Sequence, residues 1–364
     1  MKKILFSIGA LSLMWSNLLA TDESSSAPPM GYSKLEILGK TDNVVSLPLA
    51  RQTVFYALVA SCTPTSVTLA DVEWLPKQFT FVSGKQNTSY AVEFITRNLK
   101  GISYRITDNT QDTLSLDTNG DDLTEHRRGA IQAGDLVSIR PYWSVGDIFG
   151  ADDAHVLLNP VETSPTLDEI EAVDCILIPD NTSIGIEKPY SLSMAYVQES
   201  GWRKAGDSAT DVGHAILPVG LPFVVHRQGG ELETVFFGSA PRNTSINLIK
   251  GGDGTHGNDT YAALALCDPI SLDSAGLVDS DGESSVIQGS DSILTQEDEL
   301  LVFDPADKGF HREPKLVFYY ADGSWRQLGN PSSTVGQDFL LQPGTGFIIR
   351  KRSANLNQDW VQLP

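Results

Sequence analysis

Cysteine is scarce in this chain of 364 residues, with three, and so are histidine, with six, and methionine, with four. Three cysteines are an odd number, so at most one pair could close and one thiol would be left over. Basic residues are also short, 26 Lys and Arg against 46 Asp and Glu, for a net charge of −20. Such a surface repels nucleic acid and anionic lipid, because Coulomb repulsion must be overcome before contact. Beyond the first twenty residues no apolar run approaches the roughly 18–20 residues that a membrane-spanning helix needs. A sustained 3.6-residue period is missing throughout. So are a Gly-x-Ser-x-Gly elbow, a His-Glu-x-x-His pair and a glycine-rich phosphate loop.

What is present begins with a leader. Lys2 and Lys3 precede a mostly apolar Ile4–Leu19 stretch ending at Ala20, the layout of a secretory signal peptide over 1–20. Its removal takes two lysines and no acids, so the mature charge is 24 − 46 = −22. The polar "TDESSSAPP" at 21–29 reads as a linker. The expected location is the periplasm or the exterior. There, Cys175 and Cys267 are either small buried hydrophobes in strand-like runs or the two halves of a bridge.

From residue 30 onward, short β-branched and aromatic runs such as "TVFYALVA", "YAVEFITR" and "DLVSIRPYW" alternate with Gly, Asn, Asp and Pro. That pattern predicts an all-β fold of sandwich or barrel-like modules with minor helix. A short helix is expected in "SPTLDEIEAV", Ser164 to Val173, and a helical turn in "SVGDIFG". "TDNTQDT" and "DTNGDD" are expected to be hairpin connections. The expected division is an N-terminal β domain over 30–165 and a duplicated C-terminal region over 166–364.

The duplication lies near 174–230 and 298–353. With Trp202 set on Trp325, Tyr196/Tyr319, Arg203/Arg326, Gly206/Gly329, Val212/Val335 and Gly213/Gly336 coincide. One inserted residue then aligns Gly220 with Gly344, Phe223 with Phe347 and Arg227 with Lys351, and upstream Asp174 pairs with Asp298. Two copies are too few for a solenoid. His214 and His226 sit where the second copy has Gln337 and Arg350, which reads as surface drift.

"NVVSLPL", "GDLVSIRPYWSVGDIF", "DELLVFD", "GSWRQLG" and "LLQPGTGFIIRKR" together resemble an uncharacterised family of secreted, β-rich bacterial proteins. The resemblance covers most of the chain from Met30 onward. It implies class and location, and it assigns no activity and no catalytic residue.

Candidate chemistry is sparse. Asp117, Asn119 and Asp121 in "DTNGDD" resemble the start of a calcium loop. The Gly and Glu required at its sixth and twelfth positions are Asp122 and Arg128, so a turn is the simpler reading. Calcium is the one cofactor the sequence raises. Tyr142 and Trp143 are adjacent in a strand, hence on opposite faces, and one should reach solvent as a ligand-binding ring. No catalytic residue is assigned. The expected function is an exported, non-enzymatic structural, adhesive or surface-associated protein whose partners are cell-surface or matrix polymers, with no nucleic acid and no membrane span. The alternatives are a carbohydrate-binding module and a secreted hydrolase.

Overall fold

The computed structural model describes residues 29–241, 243–279, 285–304 and 307–364. The leader expected at 1–20, and all but the last residue of the linker expected at 21–29, lie outside them. The fold is all-β. Strands β1 (Met30–Ile37) and β2 (Thr41–Val45) open it. A closed six-stranded barrel follows, built from β3 (Phe55–Thr63), β4 (Ser66–Leu69), β5 (Tyr90–Phe94), β6 (Ser103–Asn109), β7 (Thr113–Asp117) and β8 (Leu136–Pro141) in the order β3-β4-β7-β6-β5-β8. Val59, Val67, Phe94, Leu114 and Ile139 fill it.

After the barrel come β9 (Trp143–Ser144) and helix α1 (Val145–Phe149). The Ser144 hydroxyl and the Asp147 carboxylate cap each other's backbone N–H at its start, which satisfies two otherwise unpaired donors. Then β10 (Cys175–Pro179), β11 (Tyr190–Val197), β12 (Gly201–Lys204), β13 (Asp207–Asp211), β14 (Ile216–Leu217), β15 (Phe223–Arg227) and β16 (Leu232–Ser239) complete a first unit. Its six-stranded sheet runs β13-β12-β11-β10-β15-β2. The interior strand "FVVHR", β15, is buried along its whole length, as a strand covered on both faces must be.

The second unit repeats this order with β17 (Ser245–Ile249), β18 (Asn258–Ala263), β19 (Ile270–Ser271), β20 (Glu299–Val302), β21 (Leu316–Ala321), β22 (Ser324–Gln327), β23 (Asn330–Thr334), β24 (Leu340–Leu341), β25 (Gly346–Lys351) and β26 (Gln358–Gln362). Its sheet runs β18-β25-β20-β21-β22-β23. Each unit adds a ribbon, β1–β16 or β17–β26, and a short pair, β9–β14 or β19–β24. The copies agree in detail. Both β12–β13 and β22–β23 shift register after the arginine that follows the tryptophan. Gly220 and Gly344 both adopt φ +79° in the turns that launch β15 and β25, a conformation glycine enters without steric cost. Pro331 sits in the edge strand β23, where no ladder donor is needed.

The duplication is therefore larger than the segments aligned near 174–230 and 298–353. β1, β2 and β9 precede residue 165 yet pair with β16, β15 and β14 beyond it, so the sheets do not divide there. Unit one is interrupted by the barrel, and unit two is continuous. Two smaller expectations also change. Ser164–Val173 forms only a 3-10 turn at Ile170–Ala172. "DTNGDD" leaves β7 for a loop toward β8, which is not its neighbour in the barrel, so it is no hairpin. "TDNTQDT" does join the paired strands β6 and β7.

The residues shared by the copies are framework. Trp202 and Trp325 are each 1% exposed. Asp174 pairs with Arg227, and Asp298 pairs with Lys351 at 2.5 Å, with both members of the second pair fully buried. The units also bind each other reciprocally. Asp42 N–H donates to Gly309 O at 3.0 Å, and its counterpart Asp259 N–H donates to Gly185 O at 2.9 Å. Ser46 N–H donates to Gly344 O at 2.9 Å, and Ala263 N–H to Gly220 O at 3.1 Å. One surface meeting its own copy is the signature of a two-fold interface, here formed within one chain.

Candidate functional site

Where barrel and unit one meet, a pocket of about 540 Å³ opens. Phe81 from the barrel stacks on His214 at 3.9 Å and 15°. Tyr196 and Trp202 lie behind them, and Asp147, Asp153, Glu199 and Asp211 line the pocket. Most of these carboxylates already have partners. Asp147 accepts from Ser144 and pairs with Arg51 at 3.2 Å. Asp153 accepts the Glu199 N–H, and Asp211 accepts the Gly213 N–H at 2.9 Å.

The titration directions follow from these surroundings. At the pocket wall, the His155 hydrogen bond holds Asp152 below the usual carboxylate range. Burial lowers the His214 pKa and the Asp211 charge only partly opposes it, so the ring is neutral at pH 7. Burial first, then the Asp153 hydrogen bond, push the Tyr196 phenol up to about 12. The pocket offers acceptor oxygens and an aromatic wall, which is equipment for binding polar molecules.

The residues singled out in the sequence are dispersed. Trp143 is half-buried: its indole N–H donates to Leu49 O at 2.9 Å, its ring meets Phe236 edge-on, and the Arg51 guanidinium lies 5.3 Å above it. Tyr142 is also half-buried, and burial pushes its phenol up to about 12. Asp117 pairs with Arg105 at 2.7 Å, and Asp121 accepts from Tyr104 at 2.8 Å and from Arg127 at 2.8 Å. Asn119 holds the turn at φ 53°. Among the described residues no group of three or more His, Cys, Asp or Glu side chains is arranged to hold a metal. The Cys175–Cys267 bridge is not formed. Cys175 is buried inside unit one, while Cys267 is exposed and donates to Pro48 O, and both thiols are free.

Sequence reasoning missed the ribbon β1–β16. Its outer face carries Tyr32 and Phe237, directly opposite each other with rings 6.3 Å apart and tilted 57°, together with Val235. The two rings are 73% and 69% exposed. The matching positions on β17–β26 are Ile246, Val361 and Asp359, by the pairings Ile246↔Val361 and Tyr32↔Phe237. There the barrel docks. Ile246 packs against the barrel core and its N–H donates to Gly101 O at 3.1 Å, and Arg127 and Arg128 pair with Asp359 at 2.6 and 3.2 Å. One ribbon is covered by the barrel and its twin is bare and aromatic. No known protein family, curated protein or solved structure matches the chain.

Proposed function

We propose that the protein is exported to the periplasm or the exterior and is non-enzymatic, and that it adheres to a cell-surface or matrix polymer through the outer face of β1–β16. The exposed Tyr32–Phe237 pair carries this reading, because its counterpart in the same chain is covered by a partner, the barrel. The two rings sit beside the Lys34–Glu36 and Lys34–Glu233 ion pairs on the same face, and exposed apolar side chains rimmed by polar ones mark interaction sites. A chain of net charge −20 favours an uncharged polymer such as a polysaccharide, whose sugar faces stack on aromatic rings. Sedimentation with isolated cell envelope and insoluble polysaccharides tests it. Wild-type protein should pellet, and Tyr32→Ser/Phe237→Ser should stay in the supernatant. Wild type remaining soluble with every fraction, or equal pelleting of the variant, refutes it.

A second reading, a soluble-carbohydrate site, is favoured by the Phe81–His214 stack above the acceptors of the 540 Å³ pocket. On an oligosaccharide array His214→Ala should lose binding while the Tyr32/Phe237 variant keeps it. No binding by wild type rejects this reading.

A further inference from the structure

The interface between the units is not closed along its length. Beside β2 it opens into a cleft of about 590 Å³, within the range of small-molecule sites. The walls are mostly apolar, with Leu316, Phe339, Leu341 and Phe347 from unit two facing Val44 and Leu49 from unit one. Three donors are turned toward these walls, and two of them, both side chains, have no hydrogen-bond partner among the described residues. The first is Arg312 Nε, buried and unbonded, although the same guanidinium donates through Nη1 to Asp42 O at 3.0 Å and through Nη2 to Asp304 O. No carboxylate among the described residues forms an ion pair with Arg312. The second is Ser46 Oγ, fully buried and unbonded. The third is the Val44 N–H. Asp42 and Ser46 direct their N–H groups away from β15 toward unit two. By antiparallel alternation Val44 directs its own the same way.

The twin interface shows what this edge takes. Tyr261 stands at the counterpart of Val44, and its N–H donates to Asn181 Oδ1 at 2.9 Å while Asn181 Nδ2 donates back to Tyr261 O at 2.8 Å. By the offset of 124 between the copies, Asn181 corresponds in sequence to Pro305, which has no side-chain acceptor. Ser46 corresponds to Ala263, which leaves no hydroxyl to satisfy. On the twin side, then, a large ring replaces Val44, an amide oxygen meets the strand edge, and the buried hydroxyl is absent. Among the described residues, the open side has no ring at the Val44 position, no side-chain amide meeting the strand edge and no acceptor for Ser46. Buried donors left without acceptors each cost about 1–3 kcal/mol, so the cleft as it stands favours a bound molecule that supplies oxygen.

We propose that the interunit cleft is a binding site for an elongated amphipathic carboxylate, its carboxylate held between Arg312 Nε–H and the Val44 N–H and its apolar chain lying against Phe339, Leu341 and Phe347. Arg312 and the Val44 edge are neighbours, since Arg312 grips the Asp42 carbonyl two residues before Val44 on the same strand edge. Ser46, just past the end of β2, lies two residues beyond Val44 on the same edge, about 7 Å at the usual rise per residue, so it flanks the carboxylate end of the ligand. Charge-assisted hydrogen bonds from a guanidinium are the strong kind, and an apolar tail adds favourable burial for every methylene enclosed.

The cleft abuts the ribbon, since Tyr32 also lines it, but the proposed ligand contacts are Arg312, Val44, Phe339, Leu341 and Phe347, so dodecanoate titration and polymer sedimentation can fail independently. The test uses the full mature chain, with dodecanoate as the probe and dodecanol as the probe without its charge, titrated by calorimetry. Saturable dodecanoate binding at least tenfold tighter than dodecanol is expected. Arg312→Gln should weaken dodecanoate at least tenfold, and Val44→Tyr, which copies the twin side, should abolish binding. Ser46→Ala should weaken it by less than tenfold. Urea unfolding of each variant accompanies the titrations, and the dodecanol comparison on wild type needs no variant to fold. Absence of saturable dodecanoate binding, equal affinity for the alcohol, or undiminished binding by folded Val44→Tyr overturns the proposal.

Discussion

Replacing Lys351 by methionine is the most informative perturbation of the duplicated framework. Its ammonium is fully buried, 2.5 Å from Asp298 Oδ2 and 2.5 Å from Val286 O. Asp298 is equally buried, and it also accepts from Gln288 N–H at 2.9 Å, Arg352 N–H at 2.8 Å and Asn355 Nδ2 at 2.5 Å. The two partners are thus unequal. Lys351→Met leaves a buried carboxylate with three donors still in place, and breaking a buried pair in this way costs about 3–5 kcal/mol. Asp298→Leu strands the ammonium and also orphans two backbone N–H groups at about 1–3 kcal/mol each, so its cost is larger by roughly 2–6 kcal/mol. At roughly 2–4 °C per kcal/mol for a body of 150–250 residues, Lys351→Met lowers the midpoint by roughly 6–20 °C. Lys351→Arg, which imports the residue of unit one, keeps the pair and costs least. Urea unfolding followed by tryptophan fluorescence reads all three. Equal losses for Lys351→Met and Asp298→Leu, or a loss below about 1 kcal/mol for either, would refute the claim that the carboxylate is the hub of this network.

The first copy supplies a pH test at the unit interface. His226 is buried, bonds Asp42 at 2.6 Å and Glu171 O at 2.8 Å, and stacks on Phe310 of unit two at 4.4 Å. Burial works against its charge, but the Asp42 hydrogen bond and charge more than offset this and raise the pKa. A raised folded pKa means the stabilisation is complete below the unfolded value of about 6.5 and is lost as pH rises through the folded value. Wild-type melting temperature should therefore fall from pH 6 toward alkaline pH, and His226→Arg, which mimics Arg350, should flatten that slope. An unchanged slope in the variant counts against the assignment. Trp325→Ala should cost about 3–5 kcal/mol in urea unfolding, and a cost under 1 kcal/mol would mean that the ring is not part of the core. In native protein Cys267 should react with a thiol reagent and Cys175 should not, since burial pushes the Cys175 thiol up strongly. Two unreactive thiols that are freed by reductant would instead reveal a bridge.

The all-β class was legible because strand alternation and turn residues are local signals. The core of the duplication was legible for a similar reason. Trp202 and Trp325, Asp174 and Asp298, and Arg227 and Lys351 are buried, so packing and desolvation restrict what can replace them. The outer strands of each unit were not legible. β1 and β17 occupy matching places, yet one exposes Tyr32 to solvent and the other presses Ile246 onto the barrel, and opposite surroundings select different side chains. Insertion of the barrel between β2 and β9 then separates strands that pair, and no local pattern carries that pairing. His226 was misread as surface drift for a related reason. Its likeness to Arg350 is one of charge opposite a carboxylate, Asp42 in one copy and Asp259 in the other, and that is invisible until the strands are paired.

The asymmetry between the copies locates function better than their likeness does. A reciprocal interface holds the two units through equivalent hydrogen bonds, so neither unit can move without breaking both sets. Symmetric devices of this kind supply stability, and identical halves would offer identical surfaces. Here the halves differ at three connected places: the barrel covers the ribbon of unit two only, Tyr261 and Asn181 complete one side of the interface only, and a neutralisable histidine replaces an arginine on the other side only. The bare ribbon, the open cleft beside β2 and the titratable clasp at Asp42 all fall on the same edge of unit one. Since Arg312 bonds Asp42 O while His311 N–H bonds the Asp42 carboxylate at 2.6 Å, a ligand drawn to Arg312 and a proton drawn to His226 act on one shared residue. On the proposed binding mode, cleft occupancy and His226 protonation would therefore meet at Asp42. Dodecanoate affinity should vary with pH across the His226 titration in wild type and should not vary in His226→Arg.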